Sequence, residues 1–225
     1  MKKLLSLIPV VALLLSFNAS AVNCVAQRVI NNDVAACDTQ GCTSLFRGRN
    51  DEKIGCTEKG CNYYRIARTD EELGCWKTGC DVFRRQRSDE KLGCTETGCQ
   101  YYRLTRTDEQ LGCTAASCEV IRVVRNDEVL GCTQTACNTY RISRNDEHLG
   151  CTATSCEIYR VVRNDEHLGC TKASCQITRV IRTDEKLGCT GDSCDIVRLA
   201  RSDEQLACPI WERYGTPTTT AKYLK

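Results

Sequence analysis

From Cys61 to Cys208 the chain places two cysteines in every nineteen residues, and everything it can fold into must respect that interval. Counted from the second cysteine of each C-x4-C, the unit reads C-x-β-β-R-β-x-R-[NTS]-D-E-x-[LI]-G-C-T-x-x-[SGA], where β is β-branched, aromatic or leucine. "RNDEHLGCTATSCEIYRVV" at 144–162 is followed at once by "RNDEHLGCTKASCQITRVI". Near-perfect copies begin at Cys61, Cys80, Cys99, Cys118, Cys137, Cys156 and Cys175, a good one at Cys194, and looser ones at Cys24 and Cys42. A unit this short has no core of its own, so neighbouring copies must stack to bury an apolar face.

Segments such as "CEIYRVVR" are dense in β-branched and aromatic residues over strand length. The Asn, Thr or Ser before each Asp-Glu, with Leu-Gly three residues on, reads as a tight turn or a single capped helical turn with a left-handed glycine exit. The expected fold is mainly β, a disulfide-stapled solenoid of about ten 19-residue repeats, each one strand plus a tight or single-turn helical corner. A string of disulfide-closed hairpins is the alternative. Stacking would align Arg122 with Arg141 and Arg160, and Arg125 with Arg144 and Arg163, where like charges repel. Asp127, Glu128, Asp146, Glu147, Asp165 and Glu166 are placed to neutralise those rows from their own or the next coil.

Residues 1–21 carry Lys2 and Lys3, a short apolar run and a small-x-small ending at Ala19 and Ala21, the pattern of a cleaved secretory signal. Past it no stretch is apolar enough to insert in a membrane. Of the 31 Lys and Arg, 29 remain after the signal, against 29 Asp and Glu, so the exported chain is neutral and exerts no long-range pull on nucleic acid. The expected location is secreted or periplasmic.

Twenty cysteines in an exported chain are a disulfide framework. The C-x4-C spacing and only two histidines argue against metal, and no cofactor motif is present. The chain opens on a lone second-type cysteine and closes on a lone first-type one. Pairing across the long interval uses all twenty and is favoured: Cys24–Cys37, Cys42–Cys56, Cys61–Cys75, Cys80–Cys94, Cys99–Cys113, Cys118–Cys132, Cys137–Cys151, Cys156–Cys170, Cys175–Cys189 and Cys194–Cys208. Pairing within C-x4-C would leave Cys24 and Cys208 over and would allow end-to-end self-association through them.

The resulting division is a signal at 1–21, an atypical repeat or cap at 22–41, the repeat solenoid at 42–208, and a C-terminal cap and tail at 209–225, where Pro209, Trp211 and Tyr214 would cover the last coil and Thr218–Lys225 would fray. His148 and His167 share a repeat position held elsewhere by Lys, Gln, Glu or Val, and Asp-Glu recurs in nine copies, whereas active sites are singular. The expectation is therefore a non-catalytic structural or binding protein with a scaffold, adhesion or interaction role, acting on a protein or surface partner through a long regular face. Candidate contacts are Trp76, Thr95, Thr97, Thr133, Thr135, Thr152 and Thr154 in the variable corners. The Thr-x-Thr corners are similar to the Thr-Cys-Thr pattern of beetle antifreeze β-helices, which implies ice binding as an alternative, although Glu58, Lys59, Glu96, Lys172 and Asp192 would roughen such a surface. The repeat length also resembles that of curli-type fibre subunits, which implies a fibre-forming role.

Overall fold

The computed structural model describes residues 24–209. The signal segment and the cap residues Trp211, Tyr214 and Thr218–Lys225 lie outside the described residues. Each repeat supplies two short strands, not one. After β1 (Val25–Arg28) come β2 (Asp33–Cys37) and β3 (Cys42–Phe46), β4 (Glu52–Thr57) and β5 (Gly60–Arg65), then β6 (Glu71–Cys75) and β7 (Cys80–Arg84). The series continues with β8 (Glu90–Cys94), β9 (Cys99–Arg103), β10 (Glu109–Cys113), β11 (Cys118–Arg122), β12 (Glu128–Cys132) and β13 (Cys137–Arg141). It ends with β14 (Glu147–Cys151), β15 (Cys156–Arg160), β16 (Glu166–Cys170), β17 (Cys175–Arg179), β18 (Glu185–Cys189), β19 (Cys194–Arg198) and β20 (Glu204–Ala207).

Consecutive strands from β2–β3 to β18–β19 form antiparallel hairpins, and β1 pairs with β20 to make a tenth from the two ends of the chain. This corrects the solenoid: there is no parallel sheet and no helical corner among the described residues. The "Leu-Gly-Cys" segment that suggested a helix exit is the first strand of each hairpin. Its glycines are not left-handed either, since among the described residues positive φ at glycine is confined to Gly41 and Gly60 in the tips.

The hairpin explains the cysteines. Within each, the two cysteines stand directly opposite, as Cys132 does to Cys137, and they are bonded. The same holds for Cys37–Cys42, Cys56–Cys61, Cys75–Cys80, Cys94–Cys99, Cys113–Cys118, Cys151–Cys156, Cys170–Cys175 and Cys189–Cys194. The long-interval pairing is thus overturned, because the interval it spans is a connector between hairpins. The two cysteines that seemed left over, Cys24 and Cys208, bond to each other across β1–β20.

Hairpins pack face to face, and the repeat glycine sets the distance. A Cβ on Gly55 would lie 2.7–2.8 Å from both sulfurs of Cys75–Cys80 in the next hairpin, and one on Gly169 would lie 2.8–2.9 Å from those of Cys189–Cys194. Across the strand from glycine an aromatic covers the same face: the Tyr140 ring stands 3.0 Å from a Cβ on Gly131, with Leu149 of the following hairpin at 2.7 Å. Leu149, Cys151 and Cys156, with Val129, Tyr140, Ile142 and Ile158 against them, form one such interface. Tyr63 and Tyr101 add hydrogen bonds, each hydroxyl donating to a carbonyl of the preceding hairpin, Leu45 at 2.9 Å and Phe83 at 3.2 Å.

The end-made hairpin occupies a place in this series. Its cystine seats on Gly188 as those from Cys75–Cys80 to Cys189–Cys194 seat on their glycines, with Cys24 Sγ 2.7 Å from a Cβ there; alanines, Ala207 and Ala36, hold the seat position before Cys37–Cys42 and Cys56–Cys61. On its other side Ala207, only 2% exposed, packs with Val29, Ala35 and Cys37. It touches β18–β19 on one flank and β2–β3 on the other, so the ten hairpins make a closed circuit.

Candidate functional site

The array has two distinct ends, the hairpin tips and the connectors. At the connectors, Glu128 turns its carboxylate back to accept the N–H groups of Val124 (2.9 Å) and Arg125 (3.1 Å), and its own N–H donates to the Arg125 carbonyl (3.1 Å). Glu71, Glu90, Glu109, Glu147, Glu166, Glu185 and Glu204 do the same. For Glu109 these N–H donors hold the carboxyl below its usual range.

The Asp of each connector takes the first arginine of the repeat. Nε of Arg141 donates to Asp127 at 2.5 Å, and Arg65–Asp51, Arg84–Asp70, Arg103–Asp89, Arg122–Asp108, Arg160–Asp146 and Arg198–Asp184 match it at 2.5–2.9 Å. Arg179–Asp165 is equivalent, and Arg28–Asp203 (2.9 Å) repeats the pair across the chain ends. The guanidinium beside it holds each of Asp51, Asp70, Asp89, Asp108, Asp127, Asp146, Asp165 and Asp184 below the ordinary carboxylate range. These Arg–Asp pairs therefore form within a hairpin, whereas at the tips Lys77 reaches Glu58 (3.6 Å) and Glu96 (3.9 Å) of the two neighbouring hairpins.

The second arginine differs. Arg68, Arg87, Arg106, Arg125, Arg144, Arg163 and Arg201 are exposed, with no carboxylate in ion-pair range among the described residues; Arg182 reaches Asp184 at 3.3 Å. Cycle after cycle, one free guanidinium stands beside an exposed Asn, Thr or Ser whose side chain makes no hydrogen bond there, such as Asn126, Asn145 and Thr107.

At the tips, the threonine after the first cysteine works inside the turn. Oγ1 of Thr114 accepts the N–H of Ser117 (3.1 Å) and Ala116 (3.3 Å) and donates to the Ser117 carbonyl (3.0 Å). Neighbouring tips are then laced together by backbone bonds nineteen residues apart. Glu58 N–H donates to the Lys77 carbonyl (3.1 Å), and so in turn do Lys77, Glu96, Ala115, Gln134, Ala153 and Lys172 to their successors, ending at Gly191. The residues that vary between repeats are thereby drawn into one line.

This geometry splits the corner threonines into two sets. Thr133 and Thr152 are buried and Thr95 is half-buried, each committed to its own turn; Thr97, Thr135 and Thr154 stand exposed at the tips. Trp76 replaces the inner threonine, is half-buried, and lays its ring on the tip, 2.7 Å from a Cβ on Gly79. His148 and His167 are exposed on the first strands, opposite Tyr159 and Thr178. Sequence reasoning missed a cleft of about 460 Å³ between the tips of β8–β9 and β10–β11, lined by Thr95, Thr97, Gln100, Tyr102, Ala116 and Ser117. The expected neutralisation of Arg125, Arg144 and Arg163 by connector carboxylates is corrected: they attract their own aspartates through space but none is within ion-pair distance of a carboxylate among the described residues.

Ten disulfides place the folded chain in an oxidising environment, extracellular or periplasmic. No helix among the described residues is long and apolar enough to cross a membrane, and no group of three or more His, Cys, Asp or Glu there could hold a metal ion. No protein-family profile, curated protein or solved structure matches the chain.

Proposed function

We propose that this is an exported, non-catalytic structural or binding protein that presents a regular surface to a protein or surface partner. The observation that carries this reading is the laced line of tips, where residues differing from copy to copy stand side by side on a scaffold whose other repeat positions are fixed by packing. Loops on one face of a repeat array are where such proteins vary their contacts. End-to-end self-association would require the bond between Cys24 and Cys208 to open first.

The test is capture of the oxidised protein on cell-envelope or matrix material. Wild type should be retained, and a Thr97→Lys, Thr135→Lys, Thr154→Lys variant with unchanged thermal unfolding should lose most of that retention. Absence of retention on every surface preparation would sink the proposal. Ice binding has one observation in its favour, the run of small uncharged residues Thr97, Ala116, Thr135, Thr154 and Ala173 exposed at five consecutive tips. Thermal hysteresis in a purified sample decides it.

A further inference from the structure

Each position held constant through the repeats has a structural task, with one exception. The cysteines close the hairpins, the glycines admit the next cystine, the threonine braces the tip, the aspartate binds the first arginine, and the glutamate holds the connector. The second arginine is present in all nine copies, at Arg49, Arg68, Arg87, Arg106, Arg125, Arg144, Arg163, Arg182 and Arg201, and every one is exposed. Its backbone closes the connector turn, which any residue could do, while its guanidinium adds only a through-space attraction to its own connector aspartate and, apart from Arg182, makes no ion pair within 4.0 Å among the described residues. A flexible exposed side chain kept arginine nine times, where a lysine would supply the same attraction, points outward.

We propose that the connector end of the array is a binding site for an anionic polysaccharide, held by the second arginines acting together. This rests on the surface-binding reading above only in taking the protein to bind an external surface, and it places a second site at the end opposite the laced tips. The geometry fits such a polymer in three ways. The guanidiniums recur once per hairpin, so a chain with repeating carboxylate or sulfate groups can engage several at once, and weak contacts multiply. Guanidinium is the side chain best shaped to grip a planar carboxylate or a sulfate oxygen pair. Beside each stands an unengaged hydroxyl or amide, as at Thr107, Asn126 and Asn145, and in several copies an exposed aliphatic residue, Val124 at 62%, Val162 at 64% and Ile181 at 72%, suited to the hydroxyls and C–H faces of sugar rings.

The charge arrangement favours a sparsely charged polymer over a dense one. The connector aspartates and glutamates are half-buried and sit two and three residues, respectively, from the exposed arginines in sequence, so closely spaced phosphates would meet carboxylates as well as guanidiniums. With no net charge after export, the protein has no field to steer a nucleic acid toward it. Binding must then be short-ranged, multivalent and steeply salt-dependent.

The experiment uses the oxidised protein on immobilised hyaluronan and immobilised polygalacturonate, with double-stranded DNA and anionic phospholipid vesicles as separate arms. Retention on both glycans at low salt and release as salt rises are expected. Arg87→Ala, Arg106→Ala, Arg125→Ala, Arg144→Ala and Arg163→Ala combined should weaken retention roughly tenfold or more while leaving the unfolding temperature unchanged, and the matching lysine variant should recover part of it. The proposal is overturned if wild type is not retained, if the alanine variant binds as wild type does, if that variant unfolds at lower temperature, or if DNA or vesicles bind as tightly as the glycans. Failure here with envelope capture intact removes this site and leaves the wider reading standing.

Discussion

The hairpin made from the chain ends and the nine made from contiguous chain are alike in almost every bond and differ in what holds their strands together. The seam and the contiguous hairpins from β6–β7 to β18–β19 alike have a cystine at the tip seated on the preceding hairpin's glycine, an Arg–Asp pair at the far end, and the same connector bond, Val29 to Asp203 in one case and Val123 to Asp108 in another. In the nine, the paired cysteines are five residues apart; in the seam they are 184 apart. Chain-entropy reasoning makes the first worth about 2 kcal/mol and the second about 5 kcal/mol, since closing the longer loop removes more freedom from the unfolded chain. Equal geometry thus has unequal thermodynamic consequences, and the weak point of the circuit is also where one covalent bond contributes most.

The largest effect should come from Cys24→Ser with Cys208→Ser. Denaturant unfolding without reductant should show a loss of about 5 kcal/mol, against about 2 kcal/mol for Cys132→Ser with Cys137→Ser. Equal losses would mean that the circuit is not closed in solution.

A smaller effect tests the glycine seats. Gly131→Ala and Gly188→Ala should each cost about 1–3 kcal/mol by overpacking, because their new methyl groups meet Leu149 and Cys24 respectively at 2.7 Å. Only Gly188→Ala presses on the seam, so only it should yield titratable free thiol under mild reductant.

Acid should act more weakly, through the Arg–Asp pairs of the hairpins from β4–β5 to β18–β19. The aspartates have folded pKa values lowered by their arginines, so the stability they confer is complete above the unfolded value of about 3.9 and is lost as pH falls through the lower folded values. Unfolding midpoints should hold down to about pH 5 and decline below it, and Asp127→Asn with Asp146→Asn should flatten that decline.

The smallest change is expected from moving the seam. A permuted chain that joins Cys208 to Cys24 through Thr-Ala-Ala-Ser and opens between Ala115 and Ala116 should unfold within a few degrees of the original, since Cys113–Cys118 then becomes the long-range bond. A large drop would show that the native seam carries contacts the other hairpins lack.

Much of the architecture was legible in the chain. The nineteen-residue period, the β character, the disulfide framework and the pairing of arginine with nearby aspartate follow from Cys, Arg and Asp spacing alone. The strand count did not, because "EHLGC" is five residues long with a glycine near its end and resembles a turn by composition, although in the hairpin that glycine is the seat for a neighbour's sulfur. The cystine map misled for a related reason. Cys24 and Cys208 look orphaned under short-range pairing only if the chain is assumed to be open, and no local pattern announces that Val25 will meet Ala207. At the candidate sites, the inward turn of Thr133 and Thr152 was invisible because their hydroxyls answer to backbone groups that composition does not reveal. The free arginines were visible throughout, but only a structure that satisfies every other constant residue makes them conspicuous.

A circuit that closes on itself also constrains the chain's history. In an open array one more copy simply lengthens the protein, and terminal units can be gained or lost with little penalty. Here the seam forms only when the hairpin after β18–β19 arrives alongside β2–β3 with Cys208 facing Cys24. Insertion or deletion of a single nineteen-residue unit would change the curvature that brings those cysteines together. The seam cystine thus ties the oxidation of one pair of cysteines to the arrival of the last strand beside the first.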